Sequence, residues 1–325
     1  MATLKEVAEM AGVSVSTVSY VLNGKKKVRP ETLKRIEDAI DVLDYCPNLL
    51  ASSLKTNQSK TIGVVVSDIT NLFFVDVLKS IEEELTKSGY CMIICNADND
   101  AEKEKKSLRR LLSRNIDGLI LIGTGDSDLS GYRKIRLPLV CLDRVSDEEF
   151  FTVRVDNVLG GLLATQYLLK KGHRKILYIG NSRYRFSQER CRGYEQGMME
   201  AGLSENIEVL DLHTLKSDEA FHETSEFLKQ GQQFDAVFGG IDYFAIGALK
   251  ALLSQGISVP KETAVIGYDD IAPAKFTYPE LTSIAQPKSE MGSIVVQYLL
   301  AMIQGKKVEE HERVLKPYIV ERASG

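Results

Sequence analysis

The chain has 325 residues, 44% hydrophobic and 26% charged, a composition that suits a folded protein of about two domains and excludes fibrous and disordered classes. Its net charge of −4 divides unevenly, with nine Lys/Arg against seven Asp/Glu in residues 1–60 and 32 against 38 in the remainder, an asymmetry too weak to announce a nucleic-acid partner by itself. No stretch approaches about 18 uncharged apolar residues, and Met1-Ala2-Thr3-Leu4-Lys5-Glu6 is charged where a leader would be apolar, so a cytoplasmic protein is expected.

Residues 1–45 hold three short helical patterns and no strand candidate. Thr3-Leu4-Lys5-Glu6 reads as a capping box, in which the hydroxyl and the carboxylate satisfy amides that the first turn leaves open. Leu4, Val7, Ala8 and Ala11 then share a face, and Gly12 ends the helix. Ser14 can cap a second helix that turns Val18, Val21 and Leu22 inward before Asn23-Gly24 stops it. Pro30 suits the first turn of a third, whose Leu33, Ile36, Ala39, Ile40 and Leu43 form a stripe. The spacing of Ala8, Gly12 and Val18 predicts a helix-turn-helix: the small Ala lets two helices cross closely, Gly accepts the turn, and Val fills the space beneath the second helix. Lys25-Lys26-Lys27, with Arg29 nearby, is the one basic run of this region.

Tyr45-Cys46-Pro47-Asn48 breaks the third helix, Asn48 can cap a short one to Lys55, and Thr56-Asn57-Gln58-Ser59-Lys60 reads as a linker. From Thr61 apolar runs alternate with helical segments. The runs are Ile62–Ser67, Cys91–Cys95, Leu119–Ile122, Leu139–Leu142, Ile176–Ile179, Val209–Leu212, Ala236–Phe238 and Ala264–Ile266. Buried runs separated by helices predict parallel, doubly wound sheets, and two groups of four predict two similar α/β subdomains facing across a ligand cleft at the carboxyl ends of their strands.

Many ordered blocks resemble the lactose-repressor/galactose-repressor family of bacterial transcription regulators, with the ribose and purine branches nearest. They include Thr3-Leu4-Lys5-Glu6-Val7-Ala8, Ala11-Gly12-Val13-Ser14, Thr17-Val18-Ser19, Val21-Leu22-Asn23, and Tyr45-x-Pro47-Asn48 followed by Ala51 and Leu54. Beyond the linker lie Ile62-Gly63-Val64, Asp117-Gly118-Leu119-Ile120, Gly172-His173, Arg190-x-x-Gly193-Tyr194, Ile266-Gly267-Tyr268-Asp269-Asp270, Leu281-Thr282-Ser283-Ile284 and Gln286-Pro287. The resemblance implies an all-α helix-turn-helix domain at 1–47, a hinge helix and linker at 48–60, and a periplasmic-binding-protein-like body at 61–325. That body would divide into one subdomain of about 61–156 with 287–316 and another of about 158–285 with 318–325, crossing near residues 157, 286 and 317.

By the same resemblance the second helix enters the major groove with Val15, Ser16 and Tyr20 on base edges. Val15 suits a thymine methyl, and Tyr20 replaces an arginine common in the family, which would have read guanine. Thr17, Ser19, Asn23 and Thr32 suit phosphate, which fixes register without reading sequence, Lys25 leans towards the DNA backbone, and Thr3 and Ser14 complete the DNA-facing set. Leu54 would wedge between base pairs from the minor groove, with Lys55 on phosphate. In the body, Asp68, Asn71, Phe73, Phe74, Asp143, Arg144, Asp156, Arg190, Asp242, Asp269 and Gln286 form the implied effector site. Carboxylates and guanidinium groups there would grip hydroxyls, an aromatic ring would cover an apolar face, and Arg144 would supply a second cation for a phosphate; Ile241 stands where the family has an amide.

The implied function is that of a homodimeric repressor of a palindromic operator on double-stranded DNA, governed by a sugar or sugar phosphate. The alternatives are a corepressor- or phosphoprotein-activated regulator, and a cytoplasmic sugar-binding protein or sugar-processing enzyme. No catalytic set, cofactor, metal or membrane contact is expected. Gly123-Thr124-Gly125 lacks a third glycine, the histidines at 173, 213, 222 and 311 are scattered, and the cysteines at 46, 91, 95, 141 and 191 have no Cys-x-x-Cys pairing and read as reduced core thiols.

Overall fold

In the computed structural model, residues 2–22, 28–45, 58–123, 132, 135–144 and 150–325 are described, and the chain separates into two units, Met1–Ser59 and Lys60–Gly325. Three helices build the first: α1 (Leu4–Ala11), α2 (Val15–Leu22) and α3 (Pro30–Val42). At the start of α1 the Thr3 hydroxyl accepts from the Glu6 amide at 3.3 Å and the Glu6 carboxylate accepts from the Thr3 amide at 2.7 Å. Those hydrogen bonds hold the Glu6 carboxyl below its ordinary pKa. Gly12 ends α1 at φ 62, left-handed backbone that favours glycine. Ser14 Oγ accepts from the Thr17 amide at 3.1 Å and so caps α2. Val7, Ala8, Ala11, Val18, Ile36 and Ala39 form the core. Leu22 and Leu33, expected inside, are 36% and 37% exposed, because a core of six mostly small side chains is filled before the outer members of either stripe reach it.

The second unit contains two six-stranded sheets among its described residues. One has the order β11-β5-β4-β3-β1-β2, built from β1 (Thr61–Val66), β2 (Cys91–Asn96), β3 (Gly118–Ile122), β4 (Leu139–Leu142), β5 (Phe151–Val155) and β11 (Glu312–Leu315), parallel throughout. The other runs β12-β10-β9-β8-β6-β7, from β6 (Ile176–Gly180), β7 (Glu208–Asp211), β8 (Ala236–Gly239), β9 (Ala264–Asp269), β10 (Thr282–Ala285) and β12 (Tyr318–Val320). Its β12 is antiparallel to β10. The eight expected runs are thus joined by four further strands, β5, β10, β11 and β12.

Helices α4 (Leu72–Lys87), α5 (Ala101–Leu112) and α10 (Lys288–Ile303) cover the first sheet, and α6 (Asn157–Lys170), α7 (Arg185–Glu200), α8 (Ser217–Lys229) and α9 (Asp242–Ser254) cover the second. Each sheet is therefore buried on both faces, which explains the unbroken apolar runs of its central strands. The chain leaves the first sheet after β5, returns to it after β10, and leaves again after β11. Among the cysteines, Cys141 is a buried core thiol, whereas Cys91 is exposed on edge strand β2. No helix among the described residues is long and apolar enough to cross a membrane.

Candidate functional site

In the helical unit, α2 buries Val18 and leaves Val15, Ser16 and Tyr20 exposed, with Thr17 and Ser19 half-buried beside them. Ser14 Oγ lies 2.8 Å from Ser16 Oγ and 2.7 Å from Thr17 Oγ1, so three hydroxyls gather at the amino end of the helix, where the backbone dipole favours an anion. Thr3 is exposed, but its hydroxyl serves the capping box and lies 3.0 Å from the Glu6 carboxylate. Thr32 is half-buried in the first turn of α3. Asn23, Lys25, Leu54 and Lys55, with the expected hinge helix, lie outside the described residues.

The carboxyl ends of the strands in the two sheets bound a cavity of about 500 Å³. Asp68, which follows β1, accepts from the Thr70 hydroxyl at 2.7 Å, and Asn71 caps α4 through the Phe73 amide at 3.0 Å; both line this cavity, as does Phe74. From the second sheet come Tyr184, Phe186, Ile241 and Tyr243, with Lys216 and Asp218 exposed at the start of α8. Ile241 thus presents hydrocarbon to the space.

Beside Phe186 stands a buried charged cluster. Arg190, 2% exposed, is in the second turn of α7 rather than at its start, one turn beyond Phe186. Its guanidinium donates to Asn157 Oδ1 at 2.9 Å and to the Gly240 carbonyl at 2.7 Å, and approaches Asp269 Oδ1 at 3.4 Å. It lies 3.5 Å from the ring centre of Tyr268 and 4.7 Å from that of Phe186. Burial works against this cation, but Asp269, Tyr268 and Asp143 outweigh it and hold its pKa above the ordinary value. Asp269, 3% exposed, also accepts at Oδ1 from Gln286 Nε2 at 2.6 Å. Burial pushes its carboxyl up, and Arg190 and Gln286 draw it part of the way back. Asp143, half-buried after β4, is pushed up to about 6 by burial, with Arg190 opposing. Buried Gln286 Oε1 has no hydrogen-bond partner among the described residues, an acceptor left open.

The bend holding Asp269 is unusual backbone. Asp269 has φ 106 and Asp270 φ 47, two consecutive non-glycine residues in the left-handed half of the map, at a cost on the order of 1–3 kcal/mol each. The bend is fixed from several directions: Ser283 Oγ accepts from the Asp270 amide at 3.1 Å, and Arg322 donates to Asp270 Oδ1 at 2.5 Å.

Four expected members stand elsewhere. Phe73 is in the core against Phe74, ring centres 5.2 Å apart. Arg144 turns to α5, where its guanidinium meets Glu104 Oε2 at 2.6 Å with both side chains buried, and Tyr132 donates to the other oxygen of that carboxylate. Asp242, fully buried, accepts from the Ile271 amide at 2.8 Å and the Ser283 hydroxyl at 2.7 Å, so both its oxygens brace the interior. Gly267 is needed beside it, because a Cβ there would meet Asp242 Oδ1 at 2.2 Å. Asp156 caps α6 through the Leu159 amide at 2.9 Å. Asn157, Tyr184, Phe186 and Tyr243 are site residues that sequence reasoning missed. The Phe186–Arg190 spacing of one helical turn was the available signal for one of them.

Residues 3–48 match the family described as bacterial regulatory proteins, lacI family, and residues 165–325 match a periplasmic binding protein-like domain. The chain is 36% identical over 330 residues to the HTH-type transcriptional regulator RegA of Clostridium saccharobutylicum, covering 100% of this chain and 99% of that one. It is also 36% identical over 331 residues to the ribose operon repressor of Escherichia coli K12, covering 100% of both. Among solved structures, a lac repressor dimer bound to operator and the anti-inducer ONPF superposes with a TM-score of 0.87 at 26% identity, covering 99% of this chain and 98% of that chain. A LacI family regulator from Enterococcus faecium with bound ribose superposes with a TM-score of 0.74 at 30% identity, covering 81% and 98%.

Proposed function

The chain belongs to the lacI family of bacterial regulatory proteins, and on that premise we propose that it is a homodimeric repressor whose hold on a near-palindromic operator is set by an uncharged sugar. Two copies are required because one three-helix unit reaches too few base pairs, and a two-fold dimer matches two half-sites. Val15, Ser16 and Tyr20 read bases, the hydroxyls of Ser14 and Thr17 take phosphate at the amino end of α2, and Leu54 wedges into the minor groove at the operator centre. The setting is the cytoplasm, on chromosomal DNA. Whole-length relatives that are named as regulators and repressors support this over an enzyme built on the same body.

The observation that carries the ligand class is the charge of the cleft. Arg190 is already matched by Asp269 and Asp143, and the cavity wall adds Asp68 and Asp218 against Lys216, while its Asp98 is paired with Lys103 at 2.7 Å. Arg144, the second cation that a phosphate would need, is paired with buried Glu104. A phosphorylated sugar would therefore meet excess carboxylate, whereas a neutral polyol finds acceptors on Asp269, Asp143 and Gln286, donors on Arg190 and Asn157, and the rings of Phe74, Phe186 and Tyr243 for its apolar face.

The test is selection of duplexes from a randomised pool by the full chain, then mobility shifts and calorimetry with neutral pentoses and hexoses, their phosphates and purines. A palindromic consensus and a response to one neutral sugar are expected. No enriched site would sink the repressor reading, and response to a phosphate ester alone would sink the neutral-sugar reading.

A further inference from the structure

Lys288 occupies an electrostatically awkward position. It opens α10, where the helix dipole disfavours a cation, and its side chain is only 17% exposed. Two contacts hold it there. Its ammonium lies 2.6 Å from Asp76 Oδ2 on α4 and donates to the carbonyl of Asp270 at 2.8 Å. The first partner belongs to the helices of the first sheet, and the second is the residue after Asp269 on the second sheet. Helices α4 and α10 are one body at this point. Ser80 Oγ donates to the Ser289 carbonyl at 2.9 Å, and a Cβ at Gly292 would stand 2.5 Å from Ser80 Oγ and 3.0 Å from the Ile81 amide nitrogen, leaving no room to slide. The segment that carries Lys288 also carries Gln286, which donates to Asp269. Two residues apart, one side chain grips the ligand-facing carboxylate and the other grips the carbonyl of the strained bend behind it.

We propose that Lys288 is the positioning residue that ties the Asp269–Asp270 bend to α4, so that occupancy of the cleft is felt on the first sheet through its ammonium group. The proposal rests on the reading of Asp269 as a ligand carboxylate. A hydroxyl that loads Asp269 pulls on a bend whose next carbonyl is fastened to Lys288, and Lys288 is fastened to Asp76. Tyr243 makes a second polar link, accepting from the Leu72 amide at 3.3 Å and donating to the Thr70 carbonyl at 3.4 Å, but it is longer and uncharged. Charge-assisted contacts are about twice as strong as neutral ones, so the Lys288 link dominates.

Hydrogen exchange on the full chain tests the tie without any ligand. In Lys288→Met, amides of 269–275 and 71–77 should exchange on the order of tenfold faster than in wild type, the loss expected for a charge-assisted hydrogen bond. Lys288→Arg, which keeps the charge and a donor, should stay within about twofold of wild type. Asp76→Asn should resemble Lys288→Met, and the double variant should be no worse than either, since both break one linkage. Unchanged exchange in Lys288→Met would overturn the tie. So would equal effects of Met and Arg, or additive effects of the two sites, because those describe packing. With D-ribose, or whichever neutral sugar binds wild type, protection should appear at both segments in wild type and only at 269–275 in Lys288→Met. Protection that still reaches 71–77 in that variant refutes transmission through Lys288. Failure of every sugar to bind wild type would end the sugar reading and the transmission with it, while the ligand-free exchange still decides the tie.

Discussion

Asp269→Asn separates the ligand role of this carboxylate from its structural role. Both internal contacts of Asp269 fall on Oδ1, where Gln286 Nε2 donates at 2.6 Å and Arg190 approaches at 3.4 Å. An asparagine keeps that oxygen and replaces Oδ2 by an amide nitrogen, so the inner contacts survive while an acceptor for hydroxyls becomes a donor. Removing one partner of a buried charge-assisted contact costs about 2–5 kcal/mol of binding, and at about 1.4 kcal/mol per decade the effector dissociation constant should rise by roughly 30-fold to several thousandfold.

Stability should move little. Burial already raises the Asp269 pKa, so the neutral side chain avoids a desolvation penalty that the ion bears, although Arg190 loses part of its pairing. These effects oppose each other, and a thermal midpoint within about 4 °C of wild type corresponds to roughly 1–2 kcal/mol. The assay is calorimetry with the neutral sugar that binds wild type, beside thermal melting and a mobility shift without ligand. Unchanged affinity in a well-folded variant would refute the placement of Asp269 in the site. Loss of ligand-free operator binding would refute its confinement to the effector response.

Three further outcomes are expected, two from the same geometry and one from the family resemblance. Asp143 has a folded pKa of about 6 against an ordinary 3.8, so the folded, ligand-free protein takes up a proton as pH falls through 6, and this group's contribution to stability declines as pH rises from about 4 to about 6. Hydroxyl donors prefer the carboxylate, so effector affinity should rise by up to about tenfold from pH 5 to 7, and Asp143→Asn should flatten that profile in calorimetry. In Gly161→Ala the added Cβ would stand 2.1 Å from the Arg190 carbonyl oxygen, forcing α7 from α6 at a cost of about 1–3 kcal/mol and weakening the sugar together with the thermal midpoint; unaltered melting and binding would contradict that close packing. Leu54→Ala, outside the described residues, should weaken operator binding by about 1–3 kcal/mol and leave non-specific DNA binding unchanged, as mobility shifts at fixed salt would show.

The legible parts of this sequence were those with local causes. Thr3, Glu6, Gly12, Ser14 and Pro30 mark helix ends by short-range hydrogen bonds and backbone preference, and each does so in the structure. The eight apolar-rich runs became strands for an equally local reason, although Asp211 interrupts one of them and the edge strands β2 and β7 hold no buried residue. The other four strands escaped for different reasons: in β5 the buried Phe151, Val153 and Val155 alternate with Thr152 and Arg154 instead of forming a run, and in the rest burial is not written in hydrocarbon. In β10, Thr282 and Ser283 are fully buried, their hydroxyls satisfied by the Arg322 amide and the Asp242 carboxylate, partners 40 and 41 residues away. β11 and β12 are short edge strands with exposed side chains. Long-range pairing also hid the fate of Arg144 and Asp242. Glu104 shares the helical face of Leu108 and Leu111, a spacing that points it inward, but nothing local names Arg144, 40 residues on, as its partner.

Two of those illegible strands decide how the cleft can respond. β5 and β11 pair in parallel, and the amide of Asp156, just beyond β5, donates to the carbonyl of Leu315 at 2.9 Å, so the first and third crossings leave the first sheet side by side. The second crossing carries Gln286, bonded to Asp269 on the neighbouring strand. Rotation of one sheet against the other about these crossings moves groups near them least and distant groups most. Asn157 and Gln286 sit at crossings and hold Arg190 and Asp269, so the charged cluster keeps its geometry through such a rotation. Asp68, Asn71 and the start of α8, farther along the strand ends, change their separation. On the proposed reading, a sugar held by the cluster would gain differential affinity for one rotation from what it touches on those outer walls, beside what the Lys288 tie passes on from Asp269, and differential affinity is what lets a ligand shift the equilibrium at all. On that reading the cluster would decide which sugar is held, and Phe74, Asn71, Tyr243 and their neighbours across the cavity would decide how far holding it shifts the rotation.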